Sequence, residues 1–504
     1  MKKHFSKYLL ISAILTLCIA LSGCSGDNKQ EGSTSSDSPK YGGAVVVGVQ
    51  QDVDSLDPHK AVAAGTKEIL FNIFEGLVKP DENGNLINAV ASDYKVSDDY
   101  LTYTFTLREG VKFHNGNLVT AEDVKYSLER AAGLISAMKN ISSVNIVDQK
   151  TVEVVMKAAD TEMIYNFTAA IIPKSEENST ESKPIGTGPF KFESYTPQAS
   201  IVVSKNENYW QQGVPYLDQV TFKIIASADT ALVELKAGSI DIYPYMTDSQ
   251  ANELAATHNV AYEASNVVQA LFLNNKVAPL DNVKVRQALN YAINRAELNS
   301  FVSGGRATNV YSAMLPKLSS YFKDCSSMYP YDVEKAKQLL SEAGYPNGFD
   351  LTITVPSNYA FHVQSTEVMV EQLKKIGVNA KINPVEWNTW LEKAYNGREY
   401  QATVCGITSD LSPNYLLNRF QSTSSKNFVN FSSSDYDSIY KKIEKTTNIT
   451  EKQEYYKQLQ EILAKDGCSV FTQIAPIIVA MDKKIGGYKF YPVYVQDMSC
   501  VYVK

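Results

Sequence analysis

Apolar and polar residues alternate strictly over Leu101–Leu107 (LTYTFTL), which predicts a half-buried strand ended by the Arg108-Glu109-Gly110 turn. The period then lengthens. Thr120-Ala121-Glu122-Asp123 reads as a helix N-cap with acids in its first turn, leading into a helix over 124–134. Val285, Ala288, Leu289, Ala292 and Ile293 follow the i, i+3, i+4, i+7, i+8 rule and predict one buried helix across 282–298. Two more helices are predicted over 332–343, stopping at Gly344, and over 365–376, stopping at Gly377. Each feeds a strand, 350–355 and 378–383. Helices joined to strands by short glycine-containing links indicate α/β lobes.

The first forty residues follow another pattern. Lys2, Lys3 and Lys7 precede a fourteen-residue, mostly apolar run, Tyr8–Leu21. It is shorter than the ~20 residues a spanning helix needs. Ser22 and Gly23 supply small residues directly before Cys24, as in a lipobox, so 1–23 reads as a lipoprotein signal peptide and Cys24 as the lipidated residue. An uncleaved anchor helix is the alternative reading. Residues 25–40 contain no aliphatic or aromatic side chain, so 24–40 is expected to be a flexible tether, spanning on the order of 20–24 Å.

Composition narrows the function. About 460 residues follow the tether, enough for two or three domains. The chain carries a net charge of −7, or −10 without the three signal lysines, with both signs interspersed and no basic stripe. Nucleic acid is therefore not an expected partner. Cys325, Cys405, Cys468 and Cys500 lie tens of residues apart, which excludes a CxxC pair and leaves disulfides and buried thiols both open. The chain has no GxSxG, GxxxxGK[ST] or HExxH motif, and Gly186-Thr187-Gly188-Pro189 fails the dinucleotide fingerprint. The 81–86 stretch lacks the glycine of a calcium loop and reads as a hairpin turn. No cofactor, metal or catalytic role is expected.

Several stretches in order resemble family 5 of the bacterial extracellular solute-binding proteins. They include DSLDPHKAVAAGTKEILFNIFEGLV (54–78), YTFTLREGVKFHNGNLVTAEDVKYSL (103–128), PIGTGPFKFESY (184–195), LFLNNKVAPLDNVKVRQALNYAIN (271–294) and VEQLKKIGVNAKINPVEW (370–387). The resemblance implies an α/β, two-lobed periplasmic-binding-protein-like fold (type II, cluster C) with an extra inserted subdomain. Residues 41–77, 184–268 and 477–504 would form lobe I, 78–183 the insert and 269–476 lobe II. It implies a monomeric, exported, lipid-anchored protein of the outer membrane face or periplasm, with no enzymatic activity. Such a protein captures peptides and delivers them to the permease and ATPase subunits of an ABC importer. A nickel complex or another small solute is the alternative within the family, and a carbohydrate ligand is a third reading.

The resemblance also implies site residues. Asp410, in VCGITSDLSP, falls where peptide-binding members place the aspartate that takes the ligand's α-ammonium, although Ile407 replaces an aromatic residue there. His362 matches a histidine near the ligand carboxylate, while Val404 stands where some members carry an arginine. Trp387 matches a side-chain-pocket tryptophan, and Trp390 reads as core. The backbone of Ala63, Ala64 and Gly65 and of Gly406, Ile407 and Thr408 is expected to pair with an extended ligand as an added strand would. Gly186–Pro189 is expected to shape the chain crossing rather than touch ligand.

Overall fold

The computed structural model describes residues 39–225 and 227–504; the expected signal peptide, Cys24 and most of the tether lie outside them. One large mixed sheet runs through the body. Its strands are β1 (Ala44–Val49), β2 (Phe190–Thr196), β3 (Ser200–Lys205), β4 (Gln219–Ile224) and β5 (Ile242–Tyr243). They continue with β6 (Asn259–Leu273), β7 (Thr308–Asn309), β8 (Asp350–Pro356), β9 (Asn379–Val385), β10 (Ala402–Thr408) and β11 (Ser469–Met481). The spatial order is β9-β8-β10-β6-β11-β5-β1-β4-β3-β2, with β7 paired to β11.

The two longest strands, β6 and β11, tie both lobes together. They pair from Asn259–Met481 to Ala264–Pro476, then shift register and resume at Val268–Ile474. A shift of this kind breaks the ladder locally and lets a strand bend. On the lobe II side the alternation of β6 feeds two cores. Val268, Ala270 and Phe272 pack on one face with Tyr436 and Tyr456, and Leu271 and Leu273 on the other with Leu289 and Met369. On the lobe I side Val45, Val47 and Val49 join Phe190 and Phe222 in a third core.

A separate four-stranded sheet, Ala91–Val96, Thr102–Leu107, Thr151–Met156 and Ile141–Ile146 in spatial order, forms its own core around Phe105 and Phe167. Its Thr102–Leu107 strand buries Tyr103, Phe105 and Leu107, as the alternation predicts. Two helices matter here and below: α1 (Ala64–Leu70) and α2 (Ala121–Leu134). Thr120 caps α2 in a full capping box, accepting from the Asp123 N–H while the Asp123 carboxylate accepts from Thr120 N. Asp81 accepts from the N–H groups of Asn83 and Asn85 in a tight hairpin, as expected.

The helix predicted over 282–298 is corrected to two, α3 (Val283–Ala292) and α4 (Arg295–Ser303). Asn294 stands between them with extended backbone and caps the second through the Glu297 N–H. A side chain that caps a new helix competes with continuing the old one. The next two are α5 (Val333–Glu342), capped by Asp332, and α6 (Ala360–Lys374), which begins five residues before its predicted start and has no side-chain cap. Gly186 and Gly188 lie against the backbone of 72–73, where a Cβ would come within 2.1 Å and 2.6 Å of carbonyl oxygens. His114 locks this crossing: its Nδ1 accepts from Gly186 N at 3.2 Å and its Nε2 donates to Gly188 O at 3.1 Å.

Candidate ligand-binding cleft

The lobe II wall of the cleft is built on β10. Along one edge β10 pairs with β6 over its full length, whereas on the other edge β8 pairs only with Ala402 and Thr403. Ser409 N donates to Asn266 O at 2.7 Å, so Ile407 and Cys405, two and four residues back in the alternating ladder, also turn their backbone groups toward β6. Gly406 and Thr408 therefore turn theirs toward the edge that no strand of the described residues occupies. Gly406 must be glycine: a Cβ there would stand 2.3 Å from Val267 Cγ1 and 3.4 Å from the His362 ring.

His362 sits in the first turn of α6 over Gly406. Its Nδ1 accepts from Gln269 Nε2 at 2.9 Å, which leaves the proton of the neutral ring on Nε2. Gln269 is held in turn, its Oε1 accepting from Thr472 and Gln473. Burial pushes the His362 pKa down to about 4. At neutral pH it can give a ligand a hydrogen bond but no positive charge. Trp387 is half-buried, stacked on Trp390 with centroids 5.1 Å apart and edge-on to Tyr359 at 5.3 Å. Trp390 is core, as read, and donates to Thr403 Oγ1 at 2.9 Å. The structure thus brings Trp387, Tyr359, His362 and Gly406 onto one wall.

Two expectations need correction or refinement. Ala63–Gly65 is not extended along its length: Ala63 is the N-cap of α1, and Ala64 and Gly65 form its first turn. The Val62 and Ala63 N–H groups are already taken by Asp54 Oδ2, at 2.8 and 3.1 Å. Strand-like pairing along this segment is therefore ruled out by its own helix. Asp410 lies two residues beyond the open edge of β10, but it is exposed, and its Oδ1 accepts from Leu411 N at 2.7 Å.

Sequence reasoning missed the enclosed part of the cleft. A cavity of ≈ 210 Å³ lies beside the register shift between β6 and β11, lined by Glu68, Tyr245, Asn266, Tyr488, Tyr494 and Gln496, among others. The 488–496 stretch has no regular secondary structure, and its tyrosine spacing (488, 491, 494) was the one available signal. Glu68 is 7 % exposed, and Tyr245 Oη and Gln496 both hydrogen-bond its carboxyl group. Burial pushes its pKa up to about 7 against the pull of those two bonds.

The C-terminal segment meets β10 over the cleft. Tyr494 Oη and Thr408 Oγ1 meet across it at 3.1 Å. Deeper, Glu162 of the four-stranded-sheet unit reaches lobe II, where it accepts from Ser412 and Tyr456 and forms a buried ion pair with Lys452 at 3.3 Å. Cys325, Cys405, Cys468 and Cys500 are free thiols, the first three buried. Among the described residues, no cluster of three or more His, Cys, Asp or Glu side chains is arranged to hold a metal ion. No helix among the described residues is long and apolar enough to cross a membrane.

Two lobes joined by a pair of long paired strands, with a lined cavity beside their register shift, define a two-lobed binding protein of the periplasmic class. The family model for bacterial extracellular solute-binding proteins, family 5 (middle region), matches residues 85–428, and the chain belongs to that family. It is 30% identical over 476 residues to the glutathione-binding protein GsiB of Salmonella typhimurium (strain LT2), covering 89% of this chain and 92% of that one. Among solved structures it is similar to the ABC transporter substrate-binding protein CtaP of Listeria monocytogenes, with a TM-score of 0.85, 25% identity, and coverage of 92% and 100% of the two chains. It is also similar to the periplasmic binding protein DppA of Helicobacter pylori in complex with the peptide STSA, with a TM-score of 0.73, 26% identity, and coverage of 92% and 98%.

Proposed function

We propose that this protein is the extracytoplasmic receptor of an ABC importer. It takes a peptide between its lobes and passes it unaltered to the permease and ATPase subunits. The observation that carries this reading is the open backbone edge at Gly406 and Thr408, near a cavity lined by Glu68, Tyr245, residues 265–267 and the C-terminal segment. Main-chain pairing along such an edge gives affinity that does not depend on ligand side chains. Similarity to a DppA holding a four-residue peptide, and to a glutathione-binding protein, supports a peptide-sized ligand.

In this reading 41–77, 184–268 and 477–504 form lobe I, 78–183 the insert and 269–476 lobe II. The lobes part at the register shift between Ala264 and Val268. Asp410 meets the ligand's α-ammonium at the end of the open edge, the His362 Nε2–H faces its carboxylate end, and Trp387 borders a side chain. A lipid on Cys24 keeps the receptor beside its importer, where tethering raises its effective concentration.

Isothermal titration with di-, tri- and tetra-alanine, glutathione, and nickel with free histidine tests the reading. At least one α-peptide is expected to bind, and Asp410→Ala is expected to weaken it at least about tenfold. Binding of nickel–histidine with no peptide bound would overturn the peptide claim. Binding of glutathione alone would narrow it to γ-linked peptides.

A further inference from the structure

Glu68 is a buried carboxyl group in search of a charge partner. It projects from α1 into the cavity beside the β6–β11 register shift, and no lysine, arginine or histidine among the described residues interacts with it electrostatically. The groups around it are uncharged. Tyr245 Oη donates to its Oε2, Gln496 bonds its carboxyl group, and Tyr488 and Tyr494 face it from the C-terminal segment. Tyr488 in turn donates to Gln496 Oε1 at 3.1 Å, which leaves the Gln496 amide N–H₂ free for Glu68.

Tyr245 and Gln496 both donate to this carboxyl group, so it is held as an acceptor by two neutral groups. Glutamate adds a carboxyl group that can carry a negative charge in a cavity lined by tyrosines, and tyrosine rings can add to the attraction for a cation. The cavity, at ≈ 210 Å³, has the volume of about seven liquid waters. That is room for a side chain or terminal group of a ligand. It lies near the end of β10, where Tyr494 touches the Thr408 hydroxyl and Asn266 pairs with Ser409.

We propose that this cavity is a subsite for one cationic group of the ligand, an alkylammonium or guanidinium, with Glu68 as its counter-charge. The assignment rests on the peptide-receptor reading for the identity of the ligand, but not for the chemistry of the pocket. The cation can come from a lysine-type side chain or from the peptide's own α-ammonium, and the experiment separates the two.

Wild type and Glu68→Gln are titrated at pH 8 with trialanine carrying lysine or norleucine at each position, and with free and N-acetylated trialanine. n-Butylammonium and 1-butanol are compared by thermal shift, and melting curves confirm that both proteins are folded. Lysine is expected to outbind norleucine at one position by roughly 30-fold or more in wild type, and Glu68→Gln is expected to bring that ratio to about one. If the α-ammonium fills the pocket instead, acetylation weakens binding to wild type and not to the variant. Equal lysine and norleucine affinities, with acetylation affecting both proteins alike, would overturn the proposal. If no peptide binds, n-butylammonium still decides it: stabilisation of wild type but not of Glu68→Gln keeps the cation subsite while the peptide reading falls, and no stabilisation sinks both.

Discussion

On its lobe II side the cleft presents backbone: the unpaired groups of Gly406 and Thr408, with a neutral His362 overhead and an aromatic shelf of Trp387 and Tyr359. On its lobe I side it presents side chains: Glu68 among tyrosines from two separate segments. In the proposed reading the ligand is a peptide, and the backbone part of the first wall treats every peptide of similar length alike. The second has a shape and a charge, and selection falls to it. A receptor that feeds an importer needs both, one wall for affinity and the other for preference.

The largest expected effect comes from the buried contact that ties the four-stranded-sheet unit to lobe II. Lys452→Met would leave Glu162 buried without its cation, a change that costs about 3–5 kcal/mol when the site cannot open. If the lobes part as proposed, the cost is expected in closure rather than in melting temperature. Peptide affinity falls by two orders of magnitude or so, and small-angle scattering of the saturated protein shows a larger radius of gyration. Unchanged affinity would mean that the Glu162 pair has no part in closure.

Glu68→Gln is next. A carboxyl group whose pKa rises from the ordinary 4.5 to about 7 on folding penalises the folded state wherever it is ionised. That penalty is absent below pH 4.5, grows between 4.5 and 7, and is complete above 7, reaching about 3 kcal/mol. Glu68→Gln is therefore expected to gain stability over wild type as pH rises from 4 to 8 in paired urea titrations. A pH-independent difference would show that the carboxyl group does not titrate near 7, and the charge contrast between the walls would lose its support.

These two sites were unequally legible in the sequence. The capping box at Thr120, the alternation over Leu101–Leu107 and the core role of Trp390 are local patterns, and the structure reproduces them. The family resemblance pointed to the GITSD stretch, and the open edge of β10 falls within it. The Glu68 cavity draws on positions 68, 245, 266 and 488–496, which only the folded sheet brings together. Ala63–Gly65 failed for a different reason: a resemblance carries over positions but not conformation, and Ala63 starts a helix without any side-chain cap to announce it. The break at Asn294 was readable, since asparagine is a good N-cap, but the apolar periodicity ran through it.

Gly406→Val tests the backbone wall with a smaller expected effect. The new Cβ would overlap Val267 Cγ1, and overpacking of this kind costs about 1–3 kcal/mol. The displaced strand edge is expected to weaken all peptides by a similar factor while leaving any lysine-over-norleucine preference intact. A change in preference instead of a uniform loss would mean that the two walls do not divide the work as described.

His362 gives the smallest effect at neutral pH and the most discriminating one in acid. Its pKa falls from 6.5 to about 4 on folding because the charged ring is poorly solvated where it is packed. The neutral form therefore supports the fold fully above pH 6.5, and that support is lost as pH falls through 4. His114 is depressed to about 4 for the same reason, so wild type carries both contributions. His362→Gln, with a donor in place of the Nε2–H, is expected to match wild-type stability within about 0.5–1 kcal/mol at pH 8 and to show a shallower decline between pH 6 and 4 in urea titrations. If the slope of the variant equals that of wild type, the ring is solvated well enough to charge freely. His362 would then confront a ligand carboxylate as a cation in mild acid, and the lobe II wall would carry a charge after all.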